Sequence, residues 1–353
     1  MLRSVLQFSK KVILIALIVP GLTVLLFPGT CSAQLTPAPA PIADPADRRF
    51  DGVQENWNTP ALTGSNLRAV RPMLGSTNQG DTWTLELLCL QWRWGDPIDV
   101  YVVKPKGVKN PPVVLYLYGY PAETDIFRNK LWDEAVTREG FAAVGFVSAL
   151  TGHRYHDRPM REWFVSELQE SLADSAHDVQ MMLDYLASRG DLDMSRVGMF
   201  TQGAGATIGI LASAVDPRIK VLDALDPWGD WPTWMATSPF VPEEERANYI
   251  KPEFLKKAAT LELIDWLPKV QAKKFRFQQA AFDTVTPAAS KDKLRAAVPP
   301  GTTVTFYKTE KEYAPEMLGN KQLDWIRSAL RSLPQPAPGT PPDIQKSSTT
   351  PAK

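Results

Sequence analysis

Residues 197–209, VGMFTQGAGATIG, constrain the fold more than any other stretch of the chain. The apolar run 197–200 reads as a short strand, 201–205 as a tight turn, and 206–214 as a helix of small side chains. A strand that turns sharply into a helix needs small residues around the turn, because backbone approaches backbone there. The rest of the chain alternates in keeping with such a unit. Residues 82–94 and 98–104 are β-rich and read as antiparallel neighbours. Residues 113–118 and 142–148 are continuous apolar runs, the mark of strands buried on both faces. Residues 129–138 read as a helix. Leu168, Leu172, Val179, Met182 and Leu186 fall at three- and four-residue steps, with one skipped turn near Ser175, and give an amphipathic helix ended by Gly190. Strands at 221–225, 275–281 and 303–307, with helices at 289–297 and 322–330, complete a βαβα pattern. It predicts a mostly parallel sheet with helices on both faces.

One segment interrupts the alternation. Residues 226–271 lie between two core strands, are mostly helical or irregular, and carry Trp228, Trp231, Trp234 and Trp266. They read as a helical cap inserted over the carboxyl edge of the sheet, where ligands bind in open α/β folds. The tryptophans are expected first as packing anchors and second as an aromatic wall for a ligand.

The ends differ in kind from the middle. Arg3, Lys10 and Lys11 precede the apolar run 12–27, which Pro20-Gly21 interrupts, and Cys31-Ser32-Ala33 offers small residues for cleavage before Gln34. Residues 1–33 are therefore expected to be a signal peptide, and the protein periplasmic or secreted. The run is shorter than the roughly 20 apolar residues of a spanning helix, so membrane contact is expected only through an uncleaved signal segment. Residues 34–49 form a Pro/Ala-rich linker, residues 333–353 a disordered tail, and one domain occupies 50–332. Cleavage leaves Cys89 as the one cysteine, expected to be a buried, small apolar side chain. A formal net charge of zero gives no pull toward nucleic acid. No cofactor is expected.

Four stretches together resemble the α/β-hydrolase superfamily, in particular its dienelactone hydrolase, acetyl xylan esterase and prolyl oligopeptidase groups. They are LYLYGY at 115–120, RVGMFTQGAG at 196–205, FDTVTP at 282–287 and DWI at 324–326. Their order implies an α/β-hydrolase fold from about 83 to 330, with 197–209 as its nucleophile elbow, whose motif is G-x-S-x-G. Catalysis in that family needs a serine, an acid and a histidine, in that chain order. The nucleophile position here is Gly203. The three histidines, His153, His156 and His177, all precede the elbow, and none follows Asp283. Glu312, within a residue or two, stands where the family histidine belongs. Asp283 reads as a vestigial triad acid, or as a turn residue whose carboxylate accepts local backbone N–H groups. The N–H groups of Ala204 and Tyr120 would persist as an oxyanion hole.

The resemblance thus implies an exported, catalytically inactive relative that binds a small carbonyl or carboxylate ligand, or a partner, at the old active site. The alternative is an active ester or peptide hydrolase with a rewired site. His153 or His156, in the loop GHRYHDR at 152–158, would then be the displaced base, and Thr201 and Ser148 the nearest hydroxyls. His153, His156 and Asp157 do not make a full ligand set, and no metal is expected. His177, beside Asp178, reads as a paired helix residue.

Overall fold

The structure is a computed structural model and describes residues 52, 54–68, 72–93, 96–119, 126–150, 167–318 and 321–334. The segments expected to be signal peptide and linker, Tyr120, His153, His156 and residues from 335 onward lie outside the described residues. Leu333, assigned to the tail, is buried against the core, so packing continues slightly beyond 332.

Among the described residues nine strands form one sheet: β1 (Met73–Gln79), β2 (Trp83–Gln91), β3 (Pro97–Pro105), β4 (Pro112–Leu117), β5 (Ala142–Phe146), β6 (Asp193–Gln202), β7 (Ile219–Leu225), β8 (Lys274–Ala280) and β9 (Thr303–Tyr307). Their order is β1-β2-β3-β5-β4-β6-β7-β8-β9. The β1/β2, β2/β3 and β3/β5 pairs are antiparallel, and every later pair is parallel. The helices are α1 (Lys130–Thr137), α2 (Leu168–Arg189), α3 (Ala204–Val215), α4 (Trp231–Thr237), α5 (Arg246–Tyr249), α6 (Pro252–Ala258), α7 (Leu263–Trp266), α8 (Ala288–Ala297), α9 (Glu310–Leu318) and α10 (Lys321–Arg331).

The two-residue period of a strand divides the core into two layers. On β4, Val113, Leu115 and Leu117 face the layer built with α2, α3 and the cap. Val114 and Tyr116 face the layer that holds Trp132 of α1 and Leu323, Ile326 and Leu330 of α10. Burial on both faces explains the unbroken apolar runs of β4 and β5. Asn129 accepts the Leu131 N–H and starts α1. Gly190, at φ 73°, ends α2 in a left-handed cap, as its position after the periodic run requires.

Two elements differ from the sequence reading. β1 is an edge strand, exposed along its whole length, so it carries no alternation to betray it. α9 contains Pro315, a residue that argues against a helix interior. Cys89, expected to be buried, is only partly so. It lies on β2 opposite Met73 and Asp99, and burial followed by the Asp99 charge pushes its thiol pKa up. No helix among the described residues is long and apolar enough to cross a membrane.

Candidate functional site

The parallel strands end together at one edge, and the turns that leave them enclose a cavity. The first is the turn from β6 into α3. Gly203 forms it with φ 58° and ψ −125°, a region that a residue with a side chain occupies at a cost of about 1–3 kcal/mol. Its N–H donates to Leu225 O at 2.9 Å, which fixes the turn against the end of β7. A Cβ on Gly205 would collide with the Leu117 carbonyl oxygen, so glycine alone lets α3 begin this close to β4. A Cβ on Gly203 would instead meet Gly119 Cα and Trp228 Nε1 at 3.6 Å, an ordinary contact. The apex has room for a side chain and carries none.

The second turn leaves β7. Asp226 adopts φ 50°, with its N–H donating to Gln278 O at 2.8 Å and its Oδ1 accepting the Ala280 N–H at 2.6 Å. The third leaves β8. Asp283 accepts the N–H groups of Val285 at 2.9 Å and Thr286 at 3.3 Å. Lys291, buried on α8, donates to the carbonyl oxygens of Ala280 and Asp283 and lies 3.6 Å from Asp283 Oδ2. Burial, then the nearby Asp283 charge, raises the Asp226 carboxyl to about 7, although the Ala280 N–H and Lys291 favour its charged form.

The cap closes the cavity. Thr207 Oγ1 accepts the Trp228 N–H at 2.9 Å and donates to Trp228 O at 2.8 Å, holding that residue against α3. Trp228 packs on Trp234 and Phe240 at 5.5 and 5.3 Å between ring centroids. Ser238 Oγ donates to Val285 O at 2.8 Å and latches the cap to the Asp283 loop. The cavity is about 270 Å³ and partly open, lined by Tyr118, Gly119, Ile126, Gln202, Gly203, Asp226, Trp228, Phe240, Asp283 and Val285. No serine, cysteine or histidine lines it among the described residues.

No family model and no curated protein sequence matches the chain. Solved structures do. An acetyl xylan esterase from Paenibacillus sp. R4 superposes with a TM-score of 0.57 at 14% identity, over 80% of this chain and 99% of that one. Acetyl xylan esterase 1 from Thermoanaerobacterium sp. JW/SL YS485 gives 0.56 at 12%, over 80% and 92%. An acylaminoacyl peptidase from Pyrococcus horikoshii gives 0.51 at 12%, over 76% and 51%. The chain has the α/β-hydrolase fold.

In an α/β-hydrolase fold the apex of the β6–α3 turn is where a nucleophile stands, and Gly203 occupies it. Ala204 is the first residue of α3, and its N–H is one of the helix-start donors without an intrahelical acceptor. Asp283 makes the local turn, its carboxylate accepting backbone N–H groups, and it also lines the cavity. Glu312 is exposed, and its Oε2 accepts the Lys308 N–H at 2.7 Å. The next residue, Tyr313, is the one that packs on Phe282 and Tyr307, at 5.3 Å in each case. Thr201 is buried and donates to Asp223 O at 3.1 Å. Ser148 is buried and accepts the Leu150 N–H at 3.3 Å.

Of the four cap tryptophans, Trp231 and Trp234 are buried anchors, and Trp266 lies under Lys269 Nζ at 4.0 Å. Trp228 alone also lines the cavity. Asp226 was not singled out from sequence. Its signal was an acidic residue at the carboxyl end of a parallel strand, the edge where open α/β sheets bind ligands.

His177 belongs to a separate buried network. Its Nδ1 is 2.7 Å from Glu55 Oε1 and its Nε2 is 3.1 Å from Thr59 O. Glu55, Asp174 and His177 converge closely enough to suggest a metal site. The Arg93 guanidinium occupies that position instead, 2.5 Å from Glu55 and from Asp178 and 3.6 Å from Asp174. A second cation there would meet a charge already in place.

Proposed function

We propose that this chain uses the α/β-hydrolase fold to bind a small ligand in the cavity at Gly203 without covalent turnover. The observation that carries the reading is the apex itself: the strained turn is kept, there is space for a side chain, and glycine fills the position. The acid turn and helix-start N–H groups remain around it, so the architecture of a binding pocket persists without its nucleophile. Asp226 and Asp283 both face the cavity, which disfavours a carboxylate, one of the two ligand classes expected from sequence. The same reading includes export directed by residues 1–33.

The test is hydrolysis of p-nitrophenyl acetate, p-nitrophenyl butyrate and an aminoacyl p-nitroanilide by the full chain. The wild type is expected to match a Gly203→Trp variant that blocks the cavity. Gly203→Ser alone should stay near that level, because no imidazole lines the cavity among the described residues. Joined to Tyr313→His it should gain more than when joined to Glu312→His, since Tyr313 is the residue turned toward the Asp283 loop. Saturable turnover by the wild type, abolished in Gly203→Trp, would overturn the proposal.

A further inference from the structure

The cavity joins a pair of carboxylates to an aromatic wall. Asp226 Oδ1 is engaged by the Ala280 N–H, and its Oδ2 has no partner among the described residues. Asp283 has both oxygens on backbone N–H groups. Among the described residues Lys291 is the cation beside them, and its ammonium is occupied by two carbonyl oxygens. Among the described residues, the other titratable groups around Asp226 are Tyr118 of the cavity wall, Tyr307 of β9 and Tyr313 of α9, all held neutral by burial. With both carboxylates ionised, the cluster of Asp226, Asp283 and Lys291 has one negative charge in excess. The remaining walls are Tyr118, Trp228, Phe240, Ile126 and Val285.

We infer that the ligand is a small organic cation, an ammonium group carried on an apolar body. This rests on the reading of the cavity as a non-covalent binding site. An ammonium near Asp226 supplies hydrogen-bond donors to the free Oδ2 and relieves the repulsion between the two carboxylates. The aromatic side chains that line the cavity pack against the ligand's apolar body. An anion would meet both carboxylates, and a neutral ligand of the same shape would leave their repulsion in place. The volume suits a compact molecule at the lower end of ligand-site sizes. Cation binding draws the Asp226 proton off, so below pH 7 binding is accompanied by proton release, and affinity rises with pH up to about 8.

The experiment is calorimetric titration of the full chain at pH 8 with benzylamine, benzyl alcohol and benzoate, three ligands of similar shape and different charge. Benzylamine is expected to bind saturably and at least ~10-fold more tightly than benzyl alcohol, with benzoate weakest. Asp226→Asn keeps an acceptor for Ala280 and removes the charge. It should weaken benzylamine by ~10-fold and leave benzyl alcohol within about a factor of two. A second measurement needs no variant: at pH 6.5, wild-type titrations in buffers of different ionisation enthalpy should show proton release with benzylamine and none with benzyl alcohol. Benzyl alcohol or benzoate binding as tightly as benzylamine would overturn the cation assignment and leave the cavity as a binding site. No saturable binding by any of the three would overturn the binding reading as well.

Discussion

Asp226 holds its carboxyl at a positive-φ turn, mostly buried and beside a second carboxylate. That arrangement costs stability, and the sign follows from the shift. The folded pKa is raised from 3.8 to about 7, so ionisation at high pH disfavours the folded state relative to the unfolded one. The penalty is full above pH 7 and fades between pH 7 and about 4, as the folded carboxyl and then the unfolded one take up protons. Asp226→Asn, with its side-chain oxygen still available to Ala280, should therefore raise Tm. The gain should be on the order of 2–4 kcal/mol at pH 8 and should shrink steadily toward pH 4 in thermal melts across that range. At this scale the sequence was legible where residue type alone decides the chemistry. Glycine at 203 cannot attack, and no histidine follows Asp283. Asp226 was not legible in that way. Its role arises from a local turn and from a neighbour that reaches it across the whole cap.

Elements with a clean apolar period were readable: β4 and β5 by their unbroken runs, α2 and α10 by their buried faces. β1 and α9 were not, the first for want of a buried face and the second because Pro315 argues against it. The cap was legible as an interruption, but what holds it was not. Glu262 does so with one carboxylate. Its Oε1 accepts the Asp230 N–H at 2.8 Å and the Ile264 N–H at 3.3 Å, and its Oε2 accepts the Trp231 N–H at 2.8 Å. One side chain thus closes the starts of both α4 and α7, and Trp231 Nε1 donates to Leu261 O at 3.1 Å beside it. Glu262→Ala would leave several buried N–H groups unpaired, at a cost of about 2–4 kcal/mol. Glu262→Gln, which keeps one acceptor, should lose less. Chemical denaturation followed by tryptophan near-UV circular dichroism checks the order, with the Ala variant losing cap signal before the far-UV transition.

Across the whole molecule, the segment 54–68 that precedes the sheet is held to α2 by polar groups as much as by apolar ones. Leu62 and Leu67 pack on the core. Gln180 donates to Pro60 O at 2.7 Å and accepts the Leu62 N–H at 3.2 Å. Glu55 receives Arg93 and His177 in a site almost closed to solvent, with its side chain 4% exposed. Burial alone would raise the Glu55 carboxyl, but the hydrogen bonds from Arg93 and His177 outweigh it and hold the pKa below the ordinary 4.5. A carboxylate depressed in the folded state contributes stability above its unfolded pKa and loses it as pH falls through the folded value. Acid should therefore release this segment before the sheet, as pH falls below the ordinary glutamate range. Glu55→Gln should produce the same release at pH 7, costing about 3 kcal/mol because Arg93 and His177 lose a buried partner. Hydrogen exchange reads the difference directly. Amides of 54–68 and of α2 near His177 should lose protection in the variant at neutral pH and in the wild type only in acid, while β4 and β6 stay protected in both. Uniform loss across the sheet would mean that Glu55 supports global stability rather than the attachment of this segment.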